Sequence, residues 1–340
     1  MSPDLKTVVY RIQGGGPTAG FGRALVTLSD EDGDDVEDFV VGAPGDDRPG
    51  LEDCGSLTFV SGATGAVLRT VYGESKNAAL GSVVTRVGDL DGDGFDDVAA
   101  DERQDPEGAG QAGSSVARIV SSRTGKTLWK TAPFLQHESV VAVSDQDGDG
   151  IRDLVVPTSP GELMILSGRN GRPVSAMTLP KQAFQRRRGN RLEPAVSLVV
   201  VDGGGSGRAP TIAVGWSQTA GSAETPVEIV GDSSQARWSR PLPPLRTSRR
   251  VEPLPDLDGD GVAEIGVRIP GVDSNYGGRG FLVLSGRTGA TLHSFEAGPD
   301  EREFGAAVAV DAATGFVYFG APTGNRPSVS AFPLGPVGDR

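Results

Sequence analysis

Nine-residue segments that place a carboxylate at positions 1, 3, 5 and 9 are the residues in this sequence best suited to chemistry. The clearest is Asp89–Asp97, which also has glycine at positions 4 and 6. Alternate side chains on a tight turn point toward one centre, and carboxylate oxygens are the ligands that Ca²⁺ prefers in proteins. Glycine allows the positive φ angles that such a turn requires. The segment could therefore hold a hard divalent cation.

Close copies of this pattern occur at 145–153 and 256–264, and a looser copy occurs at 30–38, where Asp35 replaces the second glycine. Aspartate and glycine are also common in ordinary turns, so one copy would be a weak signal. Four copies at regular intervals are a strong one. We call these segments acidic loops one (30–38), two (89–97), three (145–153) and five (256–264), after the repeats that contain them.

The composition indicates many short strands joined by turns. The chain has 340 residues, with 50 glycines, 24 prolines and only 6% aromatic residues. No apolar run is long enough for a membrane-spanning helix, and the first residues lack the apolar core of a signal peptide. A single cysteine, Cys54, excludes an intrachain disulfide and a cysteine-based zinc cluster, and we expect it to be a buried packing residue.

The net charge of −13 argues against general nucleic-acid binding, which requires a basic surface. The four acidic loops carry much of this charge. Four bound divalent cations would bring the formal charge to −5. The acidity therefore indicates site chemistry more than a solubilising surface.

A repeat of about 55 residues organises the whole chain. Its first acidic position recurs at intervals of 54 to 59 residues, at Asp30, Asp89, Asp145, Asp202, Asp256 and Asp311. Each repeat is predicted to contain four strands. The inner strands are apolar, and the outer strand alternates more between apolar and polar residues. A regular period of this length is typical of a β-propeller with four-stranded blades. We therefore predict an all-β fold and a single six-bladed propeller spanning 1–340.

The predicted blades cover approximately 21–73, 80–131, 138–180, 193–240, 250–297 and 304–333 plus 5–13. The last repeat has only three strands of its own, so the N-terminal strand is expected to complete its blade and close the ring. Repeats four and six keep their strands but lack the acidic pattern. We expect both to form sheets without a metal ion.

Three motifs together resemble the FG-GAP repeat of integrin α-subunit propellers and of many bacterial Ca²⁺-binding propellers. They are Phe21-Gly22 at the start of a repeat, the acidic loop, and Gly42-Ala43-Pro44 after the second strand; Phe304-Gly305 and Gly320-Ala321-Pro322 repeat two of them. The resemblance covers nearly the whole chain. It implies structural Ca²⁺ sites and a ligand-binding face opposite the acidic loops. Integrin heads have seven blades and further domains, so docking to a partner subunit is not implied.

The predicted Ca²⁺ ligands follow by position in each loop. Side-chain oxygens come from positions 1, 3, 5 and 9, and a backbone carbonyl comes from position 7. The three full patterns give Asp89, Asp91, Asp93, Phe95, Asp97, Asp145, Asp147, Asp149, Ile151, Asp153, Asp256, Asp258, Asp260, Val262 and Glu264. The looser fourth pattern gives Asp30, Asp32, Asp34, Val36 and Asp38.

Arginine-rich segments near repeat four are candidates for the opposite face. They contain Arg186, Arg187, Arg188, Arg191, Arg246, Arg249 and Arg250. One interpretation is solvated loop charge; the other is a patch that recognises an acidic glycan, carboxylate or phosphate by bidentate contacts. Trp216 and Tyr276 fall on the same predicted face and could stack on a sugar ring. Trp129 and Trp238 fall in outer strands and are expected to pack.

The favoured function is a Ca²⁺-stabilised, non-catalytic recognition or adhesion module that binds a protein or glycan ligand. No nucleophile elbow, histidine metal motif or phosphate loop is recognisable. A polysaccharide lyase, which can use Arg, Lys or Tyr as a base, and a scaffold without its own ligand remain alternatives. An extracellular or cell-envelope location is expected, because millimolar Ca²⁺ there would fill such loops. The sequence does not identify the ligand or the oligomeric state.

Overall fold

The computed structural model describes a chain whose regular structure is β throughout. The described residues are 11–16, 18–104, 114–132, 140–159, 162–178, 187–188, 191–192, 196–202, 210–216, 227–230, 236–242, 251–270, 278–296, 307–311, 316–321 and 328–333. No helix occurs among them, and accordingly none that is long and apolar enough to cross a membrane. The predicted all-β class is confirmed.

The chain divides into two compact units, residues 1–159 with 164–175, and residues 160–163 with 176–340. The first three repeats each form a four-stranded sheet in which strands adjacent in sequence are neighbours. Their strands are β1 (Ala24–Thr27), β2 (Phe39–Ala43), β3 (Ser56–Val60), β4 (Val67–Tyr72), β5 (Val84–Gly88), β6 (Asp97–Gln104), β7 (Ser114–Ser121), β8 (Thr127–Lys130), β9 (Val141–Val143), β10 (Asp153–Ser159), β11 (Glu162–Leu166) and β12 (Pro173–Thr178).

A short hairpin precedes the fourth sheet. Its two strands are β13 (Arg187–Arg188) and β14 (Arg191–Leu192). The fourth sheet contains β15 (Val196–Asp202), β16 (Thr211–Trp216), β17 (Val227–Val230) and β18 (Ala236–Arg240), although its repeat lacks the acidic pattern. The fifth contains β19 (Val251–Leu254), β20 (Glu264–Pro270), β21 (Gly278–Leu284) and β22 (Thr291–Glu296).

The sixth sheet has three strands among the described residues. They are β23 (Ala307–Asp311), β24 (Phe316–Ala321) and β25 (Ser328–Pro333). The strand expected from residues 5–13 lies mostly outside the described part of the chain, and residues 11–13 are not in a strand. Closure of the ring by this segment therefore stays a prediction.

The core of each unit lies between consecutive sheets. Leu57 and Phe59 of β3 pack with Val98 of β6, so the first sheet contacts the second. Equivalent clusters join the second sheet to the third, the fourth to the fifth, and the fifth to the sixth. The inner strands must be apolar on both faces because each is covered on both. The outer strand β4 is less buried, with Val71 its one buried residue among exposed and half-buried neighbours, and it does not show the strict alternation expected from the sequence.

Two tryptophans join an outer strand to the turn of the following repeat. The indole Nε1 of Trp129 in β8 donates a hydrogen bond to the carbonyl oxygen of Gly168 at 2.8 Å. Trp238 in β18 donates in the same way to Gly286 at 3.1 Å. Both rings also pack in the inter-sheet cores. Their predicted packing role is confirmed.

Two acidic residues of repeat two are buried in a strand. Asp101 and Glu102 lie in β6, and their exposed fractions are 6% and 3%. Glu102 accepts a 2.6 Å contact from Lys130 and a 3.5 Å contact from Arg118. The apolar segment of this strand ends at Ala100, and the strand continues through the two acidic residues to Gln104. Cys54 is fully buried, as expected, and burial raises the pKa of its thiol.

Candidate metal centres

Each acidic loop joins the first strand of its sheet to the second and is folded by its own first aspartate. In loop two, Oδ1 of Asp89 accepts a hydrogen bond from the Gly92 amide at 2.6 Å, and Oδ2 accepts one from the Gly94 amide at 2.9 Å. Asp30, Asp145 and Asp256 accept the same pair of bonds from positions 4 and 6 of their loops. The first carboxylate therefore sets the loop shape.

Positions 4 and 6 need a left-handed backbone, which explains their glycines. In loop two, Gly92 has φ 80° and Gly94 has φ 87°. In loop one, Asp35 takes position 6 with φ 64°. Aspartate tolerates this region better than most residues but less well than glycine. Asp35 therefore adopts a backbone conformation that costs aspartate more than it would cost glycine.

The ninth position is a buried carboxyl group that anchors the loop. Asp97 has no exposed surface, and its Oδ2 accepts a hydrogen bond from the Leu90 amide at 2.7 Å. In loop three, Asp153 accepts the amides of Gln146 at 2.8 Å and Gly168 at 3.1 Å. Gly168 belongs to the turn between the third and fourth strands. The acidic loops and these turns therefore lie at the same end of each sheet.

Three carboxyl groups come together in each of the four loops. Within each group, one oxygen per residue lies within 4.8 Å of the others, so each group could hold a metal ion. The groups are Asp30, Asp32 and Asp38; Asp89, Asp91 and Asp97; Asp145, Asp147 and Asp153; and Asp256, Asp258 and Asp260.

Some predicted ligands lie outside these groups. Position 5 is missing from three groups, at Asp34, Asp93 and Asp149, and Glu264 is missing from the fourth. These groups are defined by side-chain oxygens only. They therefore say nothing about the backbone carbonyls at position 7, which belong to Phe95, Ile151, Val262 and Val36. Their coordination, like that of every individual ligand, stays a prediction.

The electrostatics of the loops differ by position. Burial raises the pKa of Asp97 to about 7, and the nearby charges of Asp91, Asp93 and Asp89 add to the rise. Burial also raises the pKa of Glu264 to about 7, and it raises the pKa of Asp153 as well. By contrast, hydrogen bonds from the backbone, first that of Gly150, lower the pKa of Asp145. A bound cation would favour the ionised form at every position.

One buried oxygen in loop two has no partner. Among the described residues, Oδ1 of Asp97 accepts no hydrogen bond. The equivalent second oxygens of Asp38, Asp153 and Glu264 accept turn amides, from Gly62, Gly168 and Gly286. An unpaired carboxylate oxygen inside a protein is costly unless a cation or a proton satisfies it. This orphaned atom, beside two further carboxylates, fits a hard cation.

The sequence analysis missed two arginines that contact the acidic loops. Arg169 and Arg287 form ion pairs with the fifth-position aspartates Asp149 and Asp260, at 2.7 Å and 2.8 Å. The available signal was an arginine in the turn sequence Ser-Gly-Arg-x-Gly of repeats three and five. That turn was interpreted only as a connection between strands.

The candidate residues of the opposite face lie largely outside the described part of the chain. Arg186, Arg246, Arg249, Arg250 and Tyr276 are outside it. Arg187, Arg188 and Arg191 lie in the β13–β14 hairpin, and Trp216 ends β16. The positions of these four side chains are not described. An arginine patch therefore stays a prediction.

No family model matches the chain.

Proposed function

We propose that this protein is a Ca²⁺-stabilised β-propeller that recognises a protein or glycan ligand without catalysing a reaction. The observation that carries the proposal is the recurrence of one acidic group at the same place in four sheets. Scaffolds repeat such a site, whereas an enzyme needs its catalytic groups once.

The donor set supports Ca²⁺ as the ion. The groups supply carboxylate oxygens only, which suit hard cations. Mg²⁺ usually keeps several waters and uses one or two carboxylates, whereas Ca²⁺ accepts six to eight oxygens in flexible geometry. Three clustered carboxylates in a nine-residue loop, with position 5 and the position 7 carbonyl nearby in sequence, favour Ca²⁺. Each ion would stabilise the turn between two strands.

The repeat number supports a closed ring of six blades. Five four-stranded sheets and one three-stranded sheet are described, and the apolar segment at 5–13 would supply the missing strand. A closed propeller leaves each blade only short, protected edges.

Closure can be tested by truncation. Deleting residues 1–13 should lower the melting temperature by several degrees, because the last blade loses a strand. Deleting residues 334–340, which follow the last predicted strand, is the matched control and should have little effect. Equal effects of the two deletions would argue against closure.

Ligand recognition is proposed for the face opposite the acidic loops, by resemblance to the FG-GAP propellers. An acidic glycan is the ligand class that the arginine segments would favour. A glycan array and an absorbance assay for unsaturated uronates, both in Ca²⁺, test this. Binding without product supports a recognition module, and turnover would show a lyase. Arg186→Ala, Arg187→Ala and Arg188→Ala combined should abolish binding to an acidic glycan; no glycan or protein ligand at all would favour a scaffold.

An extracellular or cell-envelope location follows from the same proposal. Millimolar Ca²⁺ outside the cytosol would fill weak sites as well as strong ones.

A further inference from the structure

The four acidic loops are not equivalent, because among the described residues an arginine pairs with the carboxylate at position 5 only in loops three and five. Loops one and two have arginine pairs at other positions, Arg69 with Glu31 at position 2 and Arg86 with Asp96 at position 8. In loop three, Nε of Arg169 donates to Oδ2 of Asp149 at 2.7 Å, and its Nη2 donates to the carbonyl oxygen of Asp149 at 3.0 Å. In loop five, Arg287 contacts Asp260 in the same way, at 2.8 Å and 2.6 Å. Each guanidinium therefore holds both the side chain and the backbone of position 5.

The second carboxylate oxygen of each of these aspartates accepts a hydrogen bond from within its own loop. Oδ1 of Asp149 accepts the Ile151 amide at 2.8 Å, and Oδ1 of Asp260 accepts the Val262 amide at 2.8 Å. The carboxylate at position 5 is thus fixed from two directions. A planar guanidinium suits this task because its fork makes two contacts at once with little further loss of freedom.

Arg169 and Arg287 occupy the third position of the turn between the third and fourth strands. In repeats one and two, this position holds a different residue or makes a different contact. In repeat one the position is Ala63, which has no charge. In repeat two it is Arg123, whose guanidinium lies over the Phe95 ring at 4.1 Å from the centroid. Within the described structure, Asp93 of loop two accepts no contact from an arginine. The position 5 carboxylates of loops one and two therefore have no positive partner there.

The preceding repeat determines how each turn is held. The turns that carry Arg169 and Arg287 each accept an indole hydrogen bond, from Trp129 and Trp238. Their last glycines, Gly171 and Gly289, lie so close to these rings that an added Cβ would be 2.6 Å and 2.7 Å from a ring atom. In the turn of repeat two, the carbonyl oxygen of Ser122 instead accepts a hydrogen bond from Nη1 of Arg69. In repeats three and five, the turn that accepts the indole hydrogen bond is also the turn whose arginine contacts the aspartate at position 5 of the acidic loop.

We infer that Arg169 and Arg287 are positioning residues that act as internal counter-cations and keep loops three and five folded in the absence of metal. Without metal, clustered carboxylates repel one another, and this repulsion is least compensated in a loop whose position 5 carboxylate has no cation. Loops one and two, whose arginines pair outside positions 1, 3, 5 and 9, should then open more readily than loops three and five until an ion binds. The part of this inference that concerns metal rests on the proposed function.

Hydrogen–deuterium exchange by mass spectrometry tests the inference loop by loop in the full chain. In a chelator, peptides covering 145–153 and 256–264 should exchange more slowly than the peptide covering 89–97. Arg169→Ala should speed exchange of loop three about fivefold, the size expected from losing one partly exposed ion pair. Loop five should not change, and Ca²⁺ should largely remove the difference.

Arg123→Ala is the matched control, because it removes an arginine at the equivalent turn position that does not contact Asp93. It should leave exchange of loop two in chelator within about twofold, well under the effect of losing an ion pair. Arg169→Lys keeps the charge without the fork and should restore part of the protection. Exchange of loop three that is unchanged in Arg169→Ala, or a rise shared equally by loop five, would overturn the inference.

The same data separate this inference from the metal proposal. If Ca²⁺ slows exchange in the loops but Arg169→Ala has no effect in chelator, the arginine inference fails and the metal proposal stands. If Ca²⁺ protects none of the four loops but Arg169→Ala still speeds loop three in chelator, the metal proposal fails and the counter-cation role stands.

Discussion

At the scale of single residues, the ninth position of each acidic loop combines burial with negative charge. Asp97 shows this most clearly, because it has no exposed surface and one of its oxygens has no partner in the described structure. A buried acid in this state must be protonated or must bind a cation. Its pKa of about 7 means that both outcomes are accessible near neutral pH. This position should therefore respond strongly to metal and to pH.

Replacing Asp97 by asparagine tests its response to metal. Asp97→Asn keeps an acceptor for the Leu90 amide but removes the charge that a cation needs. We expect loop two to bind Ca²⁺ at least about tenfold more weakly, because affinity follows the number of charged ligands. Isothermal titration should then detect one site fewer at moderate Ca²⁺.

The matched control for this variant is Asp53→Asn, an exposed aspartate outside the acidic groups whose left-handed backbone asparagine also tolerates. It should bind the wild-type number of ions. Full binding by Asp97→Asn would show that Asp97 is not a ligand.

The metal-free protein should lose stability as pH rises. Burial raises the pKa of both Asp97 and Glu264 to about 7 in the folded state, above the ordinary values of 3.8 and 4.5. Below pH about 4 both states bind these protons. From there to pH 7 only the folded state keeps them, so the free energy of unfolding falls by up to about 1.4 kcal/mol per pH unit and group.

Melting temperatures measured between pH 5.5 and 8 check this dependence. In chelator the melting temperature should fall from pH 5.5 to about 7 and level off above the folded-state pKa values. In saturating Ca²⁺ the fall should disappear, because the cation takes the place of the proton. A chelated protein that melts at the same temperature throughout would contradict the raised pKa values.

At the scale of elements, the turn between the third and fourth strands connects the sheet, the acidic loop and the preceding repeat. Its second residue donates an amide to the ninth carboxyl group in three loops, and its third residue is the arginine of loops three and five. Its last glycine lies against a tryptophan ring in the same two repeats. The turn therefore links the acidic group of each loop to inter-sheet packing.

Substituting the last glycine of this turn tests that packing. Gly171→Ala adds a Cβ at 2.6 Å from the Trp129 ring, at a residue with φ 72°. Backbone strain of about 1–2 kcal/mol and overpacking of about 1–3 kcal/mol should both lower the free energy of unfolding. Chemical denaturation measures the sum.

Gly50→Ala separates the two effects. Gly50 has φ 85° but has no atom within 4 Å of its added Cβ, so it should show the strain alone. If the two variants are equally destabilised, Trp129 does not constrain the turn.

The sequence predicted contacts best where both residues of the contact belong to one short pattern. The first aspartate of each loop binds amides only three and five residues ahead, so spacing alone predicted the loop. The contact between Arg169 and Asp149 spans 20 residues, and the contact between Trp129 and Gly168 spans 39. Arginines at equivalent positions behave differently, as Arg123 and Arg169 show, so an arginine at this turn position does not by itself predict such a pair. The buried pairing of Glu102 with Lys130 was missed for the same reason.

At the scale of the whole molecule, regular repetition predicted the all-β class and six successive sheets. The period located the strands because each repeat has the same order of strand, acidic loop and turn. The proposed closure of the ring depends on the first residues, and the proposed ligand face includes the segments near repeat four. Both regions lie largely outside the described residues. A sequence pattern can assign such a segment to one face of the molecule only when the overall fold has already been assumed.

Charge is the property of the whole molecule that metal binding would change most. The chain carries a formal charge of −13, and acidic clusters in four loops would repel one another less once neutralised. Binding of Ca²⁺ to the folded state alone raises stability by mass action, by about 2.7 kcal/mol for a site at one hundred times its Kd. Several sites acting together should make folding strongly dependent on metal.

The number of Ca²⁺ ions bound per chain is the most direct test of this account. The purified protein would be dialysed against buffered Ca²⁺ and its metal content measured by elemental analysis, with melting curves in Ca²⁺ and in chelator on the same sample. We expect four ions per chain at millimolar Ca²⁺, one ion fewer than wild type in Asp97→Asn at moderate Ca²⁺, and a melting temperature several degrees lower in chelator. A protein that binds no Ca²⁺, and whose melting temperature is the same in excess chelator, would contradict the central claim.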